Sequence, residues 1–245
     1  MSLTPRVYLA IPLSAGNCVT LDQQARHHIV NVLRLKTGAD LLVFNGQGGE
    51  FKAKLVISGK QAAVELLDFC EVNRESGLHL HLIQAVSRGD RMDLTIQKAV
   101  ELGVNRITPV FSLRSVSKLD TDRLEKRTRH WQSVLTSACE QSGRCILPVL
   151  EHPIPLDRWL NVTTDEPNRY ILDPEANQSI NVIPQKLADL KLVVGPEGGF
   201  DRQELEYAEA TNCMRIRFGP RILRTETAAI AALAALQSRH GDLFL

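Results

Sequence analysis

The chain has 245 residues, 44% hydrophobic and 23% charged, with a formal net charge of +1. That length is long for one domain and comfortable for two, and the composition is that of a globular protein able to bury a core. No apolar run approaches the ~20 residues of a membrane span and the N-terminus lacks a signal-peptide pattern, so a cytoplasmic protein is expected.

The opening segment, MSLTPRVYLAIPL, is apolar but broken by Pro5, Arg6 and Pro12, and reads as a strand. The runs ADLLVFNG, EFKAKLVIS and QAAVELLDF have strand character and are separated by turn signals at Asn45-Gly46 and Gly48-Gly49. One helix interrupts them, from about Asp22 to Arg34, with Ile29, Val30 and Leu33 at helical spacing. Short strands with a single helix predict a small β-barrel over residues 1–73. The polar stretch EVNRESG, Glu71 to Gly77, is the expected linker.

From Leu78 the rhythm changes to alternating strands and helices, which predicts an α/β domain over 74–245 with a mostly parallel sheet. LHLIQAVS is a strand. DRMDLTIQKAVELG is a helix, with Asp90 as its N-cap and Gly103 as its stop. RITPVFS is the next strand, followed by a long helix from about Thr121 to Gln141 with Leu124, Trp131, Val134, Leu135 and Ala138 on one face. RYILD, KLVVG and MRIRF are three more strands, and helices over 202–211 and 226–239 close the chain.

Charge is unevenly spread. Residues 6–60 hold seven Lys/Arg against three Asp/Glu, and residues 211–227 hold four Arg against Glu226. Residues 151–189 run the other way, with three basic and seven acidic residues. Such clustering suits a polyanion binder, with Arg6, Arg26, His27 and Arg34 as RNA-contact candidates in the first domain. The five cysteines (Cys18, Cys70, Cys139, Cys145, Cys213) form no CxxC pair, so neither a disulfide framework nor a zinc site is expected. His79 and His81 share one face of a strand but lack a nearby third ligand, and read as ordinary histidines.

In open α/β sheets, ligands bind in loops leaving the carboxyl ends of strands, and two such loops here have unusual composition. GPEGGF, Gly195 to Phe200, packs three glycines and a proline between KLVVG and a helix with a strong start. That start has Asp201 as N-cap, Glu204 three residues on, and Phe200 placed to staple against Leu205. The second loop lies in FGPRILRTETAAIAALAAL, where a helix begins near Thr225 or Thr227. Glu226 suits the first turn of that helix, whereas Arg224 sits before its positive end, where a cation is disfavoured. Glu140 breaks the converse rule, an anion in the last turn of its helix, and opens the polar cluster Glu140-Gln141-Ser142-Gly143-Arg144. Residues that break a local rule without local compensation are functional candidates. There is no GxxxxGK[ST] loop, NGQGGE is not GxGxxG, and a glycine-rich first βα turn is missing, so any nucleotide-like ligand binds late in the fold.

QKAVELGV, ACEQSGR, GPEGGF and FGPRILRTETA, in that order, resemble the SPOUT-class RNA methyltransferases. More closely they resemble the enzymes that methylate N3 of a uridine in 16S rRNA of the small ribosomal subunit. The N-terminal HHIVNVLRLKTGADLLVFNGQGGEF is similar to that family's PUA-like barrel, so the resemblance spans the chain. It implies a cytoplasmic homodimer, a deep trefoil knot in the α/β domain, S-adenosyl-L-methionine bound in a bent shape at the knot, and no metal. Carried over residue by residue, it places Leu172, Gly195, Pro196, Glu197, Gly198, Gly199, Phe218, Gly219, Ile222, Leu223, Arg224 and Thr225 around the cofactor.

Uracil N3 carries a proton at neutral pH, so the reaction needs a cation beside the developing anion and a proton acceptor. Arg224 is the expected cation, and Glu226 or Glu140 the acceptor. Arg144 joins the RNA-contact candidates. Other readings are the same fold acting on a ribose 2′-hydroxyl or a guanine, or a non-catalytic RNA-binding assembly factor.

Overall fold

A computed structural model describes residues 4–115 and 121–244. The chain forms two compact units. One runs up to Glu75 and includes Cys139–Leu147; the other comprises Ser76–Ala138 and the chain from Pro148 onward.

The first unit carries β1 (Arg6–Tyr8), β2 (Cys18–Thr20), α1 (Gln23–Arg26), β3 (Asp40–Phe44), β4 (Glu50–Ser58) and β5 (Gln61–Cys70). They form a sheet in the order β1-β3-β4-β5-β2, with β1 parallel to β3 and the other pairs antiparallel. Alternation sets the inner face: Ala53 and Leu55 on β4 and Ala62, Val64 and Leu66 on β5 are buried, the residues between them mostly less so. Val7, Leu21, Ile29, Leu41 and Val43 complete this core. The helix expected over 22–34 is shorter. After α1 the backbone widens into a π-turn over His27–Val32, which buries Ile29 completely. It ends at Leu33, and Arg34 follows with a φ of 55°.

The second unit carries β6 (His79–Ala85), α2 (Arg91–Glu101), β7 (Arg106–Phe111), α3 (Thr121–Ser142), β8 (Val149–Leu150), β9 (Ile154–Pro155), α4 (Leu156–Val162), β10 (Arg169–Leu172), β11 (Asp189–Val194), α5 (Arg202–Ala210), β12 (Met214–Ile216) and α6 (Thr225–His240). Only the last turn of α3, from Cys139, groups with the first unit. The sheet is parallel throughout, ordered β12-β10-β11-β6-β7-β8, with β9 also paired to β7. β10 is buried along its whole length and β11 from Leu190 onward, as expected of strands covered on both faces. Leu156, Trp159 and Leu160 of α4 join Ile83, Val110, Ile171 and Val193 in one core. The helix α4 and the strands β8 and β9 are too short to stand out in the sequence pattern. After β12, at the sheet edge, the chain returns so that α6 packs against α2 and β11. Among the described residues no helix is long and apolar enough to cross a membrane.

Candidate cofactor site

The loops at the carboxyl ends of β10, β11 and β12 enclose a cavity of about 950 Å³. Its first wall is Gly195–Phe200. Gly199 has a φ of 67°, a conformation that strains other L residues, and a Cβ on Gly195 would meet the Phe200 ring at 3.1 Å. The wall is tied down on three sides. Asp201 Oδ1 accepts the Gln203 N–H at 3.1 Å while Glu204 Oε2 accepts the Asp201 N–H at 2.9 Å, the reciprocal cap expected of this sequence. Glu204 Oε1 accepts from Leu113 N at 2.7 Å, and Arg114 bridges to the Gly198 carbonyl and, at 2.9 Å, to Asp201 Oδ2. Glu197 Oε1 accepts the Arg88 backbone N–H at 2.9 Å and pairs with the Arg91 guanidinium. Burial pushes the Glu197 carboxyl upward, but these donors outweigh it and hold the group below the ordinary carboxylate value.

The second wall is the segment after β12. Asp173, the residue after β10, accepts from Arg215 Nε at 2.9 Å and Nη2 at 2.7 Å, which joins the ends of β10 and β12. Gly219 turns the chain with a φ of 75°. Ile222 is 86% exposed, an unusual position for a large apolar side chain. The segment ends at Thr225, whose hydroxyl donates to the Gly195 carbonyl at 2.5 Å. The two walls therefore meet at one hydrogen bond.

Of the residues expected around a cofactor, Leu172, Gly195, Pro196, Glu197, Gly199, Phe218, Gly219, Ile222, Leu223 and Thr225 line this cavity, and Gly198 and Arg224 do not. A Cβ on Gly198 would meet Arg114 at 3.5 Å, an ordinary contact, so the backbone favours glycine at 199 and space is tight at 195, whereas 198 has room for a side chain. Asp173, Glu175, Phe200, Arg215 and Arg221 also line it. Asp173 had a signal in the sequence, since it ends RYILD, but its pairing with Arg215 is a tertiary fact.

Arg224 is the N-cap residue of α6, with extended backbone and an exposed side chain that makes no hydrogen bond or ion pair among the described residues. Glu226 is 9% exposed. Its Oε2 lies 3.9 Å from Arg91 Nε and is buried without a hydrogen bond among the described residues.

Glu140 does not line the cavity. It belongs to the first unit, where its Oε1 accepts the Tyr8 backbone N–H at 3.0 Å. Burial raises its pKa, opposed by that hydrogen bond and by His28 and Arg6. Arg6 and Arg144, expected to reach RNA, are instead structural. Arg6 donates to the Cys139 carbonyl at 2.7 Å and to Glu50 Oε2 at 2.9 Å, and lies 4.6 Å from the Phe44 ring centre. Arg144 is 3% exposed and pairs with Glu75 through Nε at 3.1 Å and through Nη2. Desolvation makes such guanidiniums costly to bury unless paired, and both are paired. Among the other RNA candidates, Arg26 is half-buried and His27 and Arg34 are exposed. No group of three His, Cys, Asp or Glu side chains among the described residues could hold a metal ion.

The RNA methyltransferase domain family matches residues 74–237, and the RNA methyltransferase PUA domain family matches residues 21–67. The ribosomal RNA small subunit methyltransferase E of Buchnera aphidicola (subsp. Schizaphis graminum) is 36% identical over 240 residues, covering 98% of both chains. The chain belongs to the ribosomal RNA small subunit methyltransferase E family. A solved member from Neisseria gonorrhoeae, bound to S-adenosyl methionine, superimposes with a TM-score of 0.92 at 39% identity, over 98% of this chain and 99% of its own. A putative methyltransferase from Legionella pneumophila, in complex with the same cofactor, has a TM-score of 0.94 at 38% identity, again over 98% and 99%. Family membership thus covers both units.

Proposed function

We propose that this protein transfers a methyl group from S-adenosyl-L-methionine to N3 of a uridine in 16S rRNA. The observation that carries the reading is the cavity bounded by Gly195–Phe200 and the segment ending at Thr225. Its volume falls within the range of small-ligand pockets, ~300–1,000 Å³. Leu172, Phe218, Ile222 and Leu223 offer apolar surface for an adenine ring. Gly199 and Gly219 have positive φ and open space where a Cβ would stand, so their backbone can approach a ligand directly. Four arginines and five carboxylates line the cavity, and Glu175 makes no ion pair among the described residues, a balance that tolerates a ligand carrying sulfonium and ammonium charges. The bound donor supplies an electrophilic methyl group.

Uracil N3 becomes nucleophilic as its proton leaves and negative charge spreads onto the flanking oxygens. Arg224, whose side chain makes no ion pair among the described residues, is the cation for that charge. Glu226, with one buried oxygen free of hydrogen bonds among the described residues, is the proton acceptor at Oε2. Arg91 Nε lies 3.9 Å from that oxygen. The ring must be splayed from structured RNA to reach these groups. Arg26, His27 and Arg34 of the first unit supply RNA affinity, the α/β unit has the family's trefoil knot, and the protein works in the cytoplasm as a homodimer. Mass mapping of methylated nucleotides in 16S rRNA, from cells lacking the protein and after its restoration, tests the reading. A 3-methyluridine that disappears and returns supports it; an unchanged uridine pattern, or a change confined to a ribose or a guanine, refutes it.

A further inference from the structure

Gln84 is a fully buried polar residue on β6, the strand between β11 and β7. Apolar side chains fill the rest of that strand's buried positions: Leu80, Leu82, Ile83 and Ala85. Its amide nitrogen donates to the Ala85 carbonyl at 3.0 Å and to Thr225 Oγ1 at 2.9 Å. The single hydroxyl proton of Thr225 is committed to the Gly195 carbonyl, so Thr225 can only accept from Gln84. Both neighbours of Nε2 are acceptors, and this fixes the orientation of the amide. Gln84 Oε1, on the other side, is buried without a partner among the described residues. A half-satisfied amide inside a core strand is unfavourable, and an apolar residue of the same length would avoid the cost.

What the amide obtains is a connection. Thr225 closes the second wall of the cavity and Gly195 opens the first, and both line it, whereas Gln84 does not. We propose that Gln84 is a positioning residue, latching the two walls of the donor site together through the Thr225 hydroxyl. The inference rests on reading that cavity as the methyl-donor site. The segment just after β6 supports the same junction a second time: Arg88 N and Arg91 hold Glu197 of the first wall, and Arg91 lies beside Glu226, next to Thr225. Without the Gln84 donor the Thr225 hydroxyl is no longer held in the direction of the Gly195 carbonyl. The walls must then be ordered by the ligand, which lowers affinity.

The test is calorimetric binding of S-adenosylmethionine to the full-length protein and to Gln84→Met, Thr225→Ser, Thr225→Val and the double variant Gln84→Met/Thr225→Val, with melting temperature measured on each. Gln84→Met keeps the length of the side chain and removes the donor. It should weaken binding about tenfold, as should Thr225→Val, while Thr225→Ser stays within twofold of the unmodified protein. The double variant should bind no more weakly than Thr225→Val, because both changes break one relay. A folded Gln84→Met with unchanged affinity, even with a lowered melting temperature, overturns the latch, as do losses that multiply in the double variant. Should Gln84→Met fail to fold, equal affinities for Thr225→Ser and Thr225→Val overturn it instead. An unmodified protein that does not bind the donor overturns the donor-site reading, and the latch with it.

Discussion

Two helix ends in this protein break the same electrostatic rule, and the structure treats them oppositely. Glu140 is an anion in the last turn of α3, where a cation is favoured; Arg224 is a cation at the start of α6, where an anion is favoured. At the first, the missing cation arrives from a distant part of the chain. Arg6 donates to the carbonyls of Cys139 and Glu140 at 2.7 and 3.3 Å, which satisfies the helix end that Glu140 cannot, and the Glu140 carboxylate holds Tyr8 N. At the second, the Arg224 side chain stays exposed with no hydrogen bond or ion pair among the described residues. A local violation therefore points to chemistry only when the tertiary structure leaves it uncompensated. Glu140 is explained as a brace, and Arg224 is not.

Removing the compensation should have the largest effect. Arg6→Ala leaves Glu50 buried without its partner and the end of α3 without donors, so the free energy of unfolding should drop by about 3–5 kcal/mol. Urea denaturation measures this, and a loss under about 1 kcal/mol would place Arg6 among ordinary surface cations. The companion change Glu140→Gln keeps an acceptor for Tyr8, so methylation should persist near the original rate. A collapse in turnover would return Glu140 to the mechanism.

At the other helix end, Arg224→Ala should lower kcat by 10²–10³, or roughly 3–4 kcal/mol, with little change in donor affinity or melting temperature. Arg224→Lys should recover part of the rate, since an ammonium lacks the planar two-pronged donation of a guanidinium. Weakened donor binding with an unchanged single-turnover rate at saturation would make Arg224 a loop brace like Arg6.

His81 sharpens the contrast from another side, since it is half-buried and makes no ion pair among the described residues. Burial first, then Arg106 and Lys191, lowers its pKa from 6.5 to about 3, and its Nε2 meets Thr108 Oγ1 at 2.8 Å. Between those two values the unfolded chain binds a proton that the folded chain refuses. Stability should therefore fall as pH drops through this window, by about 1.4 kcal/mol per pH unit at most. His81→Asn should flatten that limb of the stability profile, and an unchanged slope would remove the histidine from the acid response.

The smallest expected effect is at Arg34, exposed beyond the π-turn. Arg34→Ala should reduce the salt dependence of RNA binding by about one phosphate contact, a change in log–log slope of ~0.7–0.9. Measured against the same change at Arg144, which is committed to Glu75, it separates a surface cation from a buried one. Equal slopes for the two variants would mean that burial does not decide which arginines reach RNA.

Local pattern alone determined a good deal. The alternation of β4 and β5, the buried strands β10 and β11, the reciprocal cap at Asp201 and Glu204, and the glycine-rich loop after β11 are consequences of residues within a few positions of one another. The composition of GPEGGF and FGPRILRTETA was enough to mark two loops that line the cavity. Only the tertiary structure decided that Cys139–Leu147 groups with the N-terminal unit and that Arg6 and Arg144 are braces rather than RNA contacts. It also showed that the backbone favours glycine at 199 and that space is tight at 195 but not at 198. Most of these depend on groups tens of residues or more apart in sequence, such as Arg6 and Cys139 or Arg144 and Glu75. A charge's worth is set by whether it is desolvated and what it meets there, and that is known only once the chain has brought its partners together.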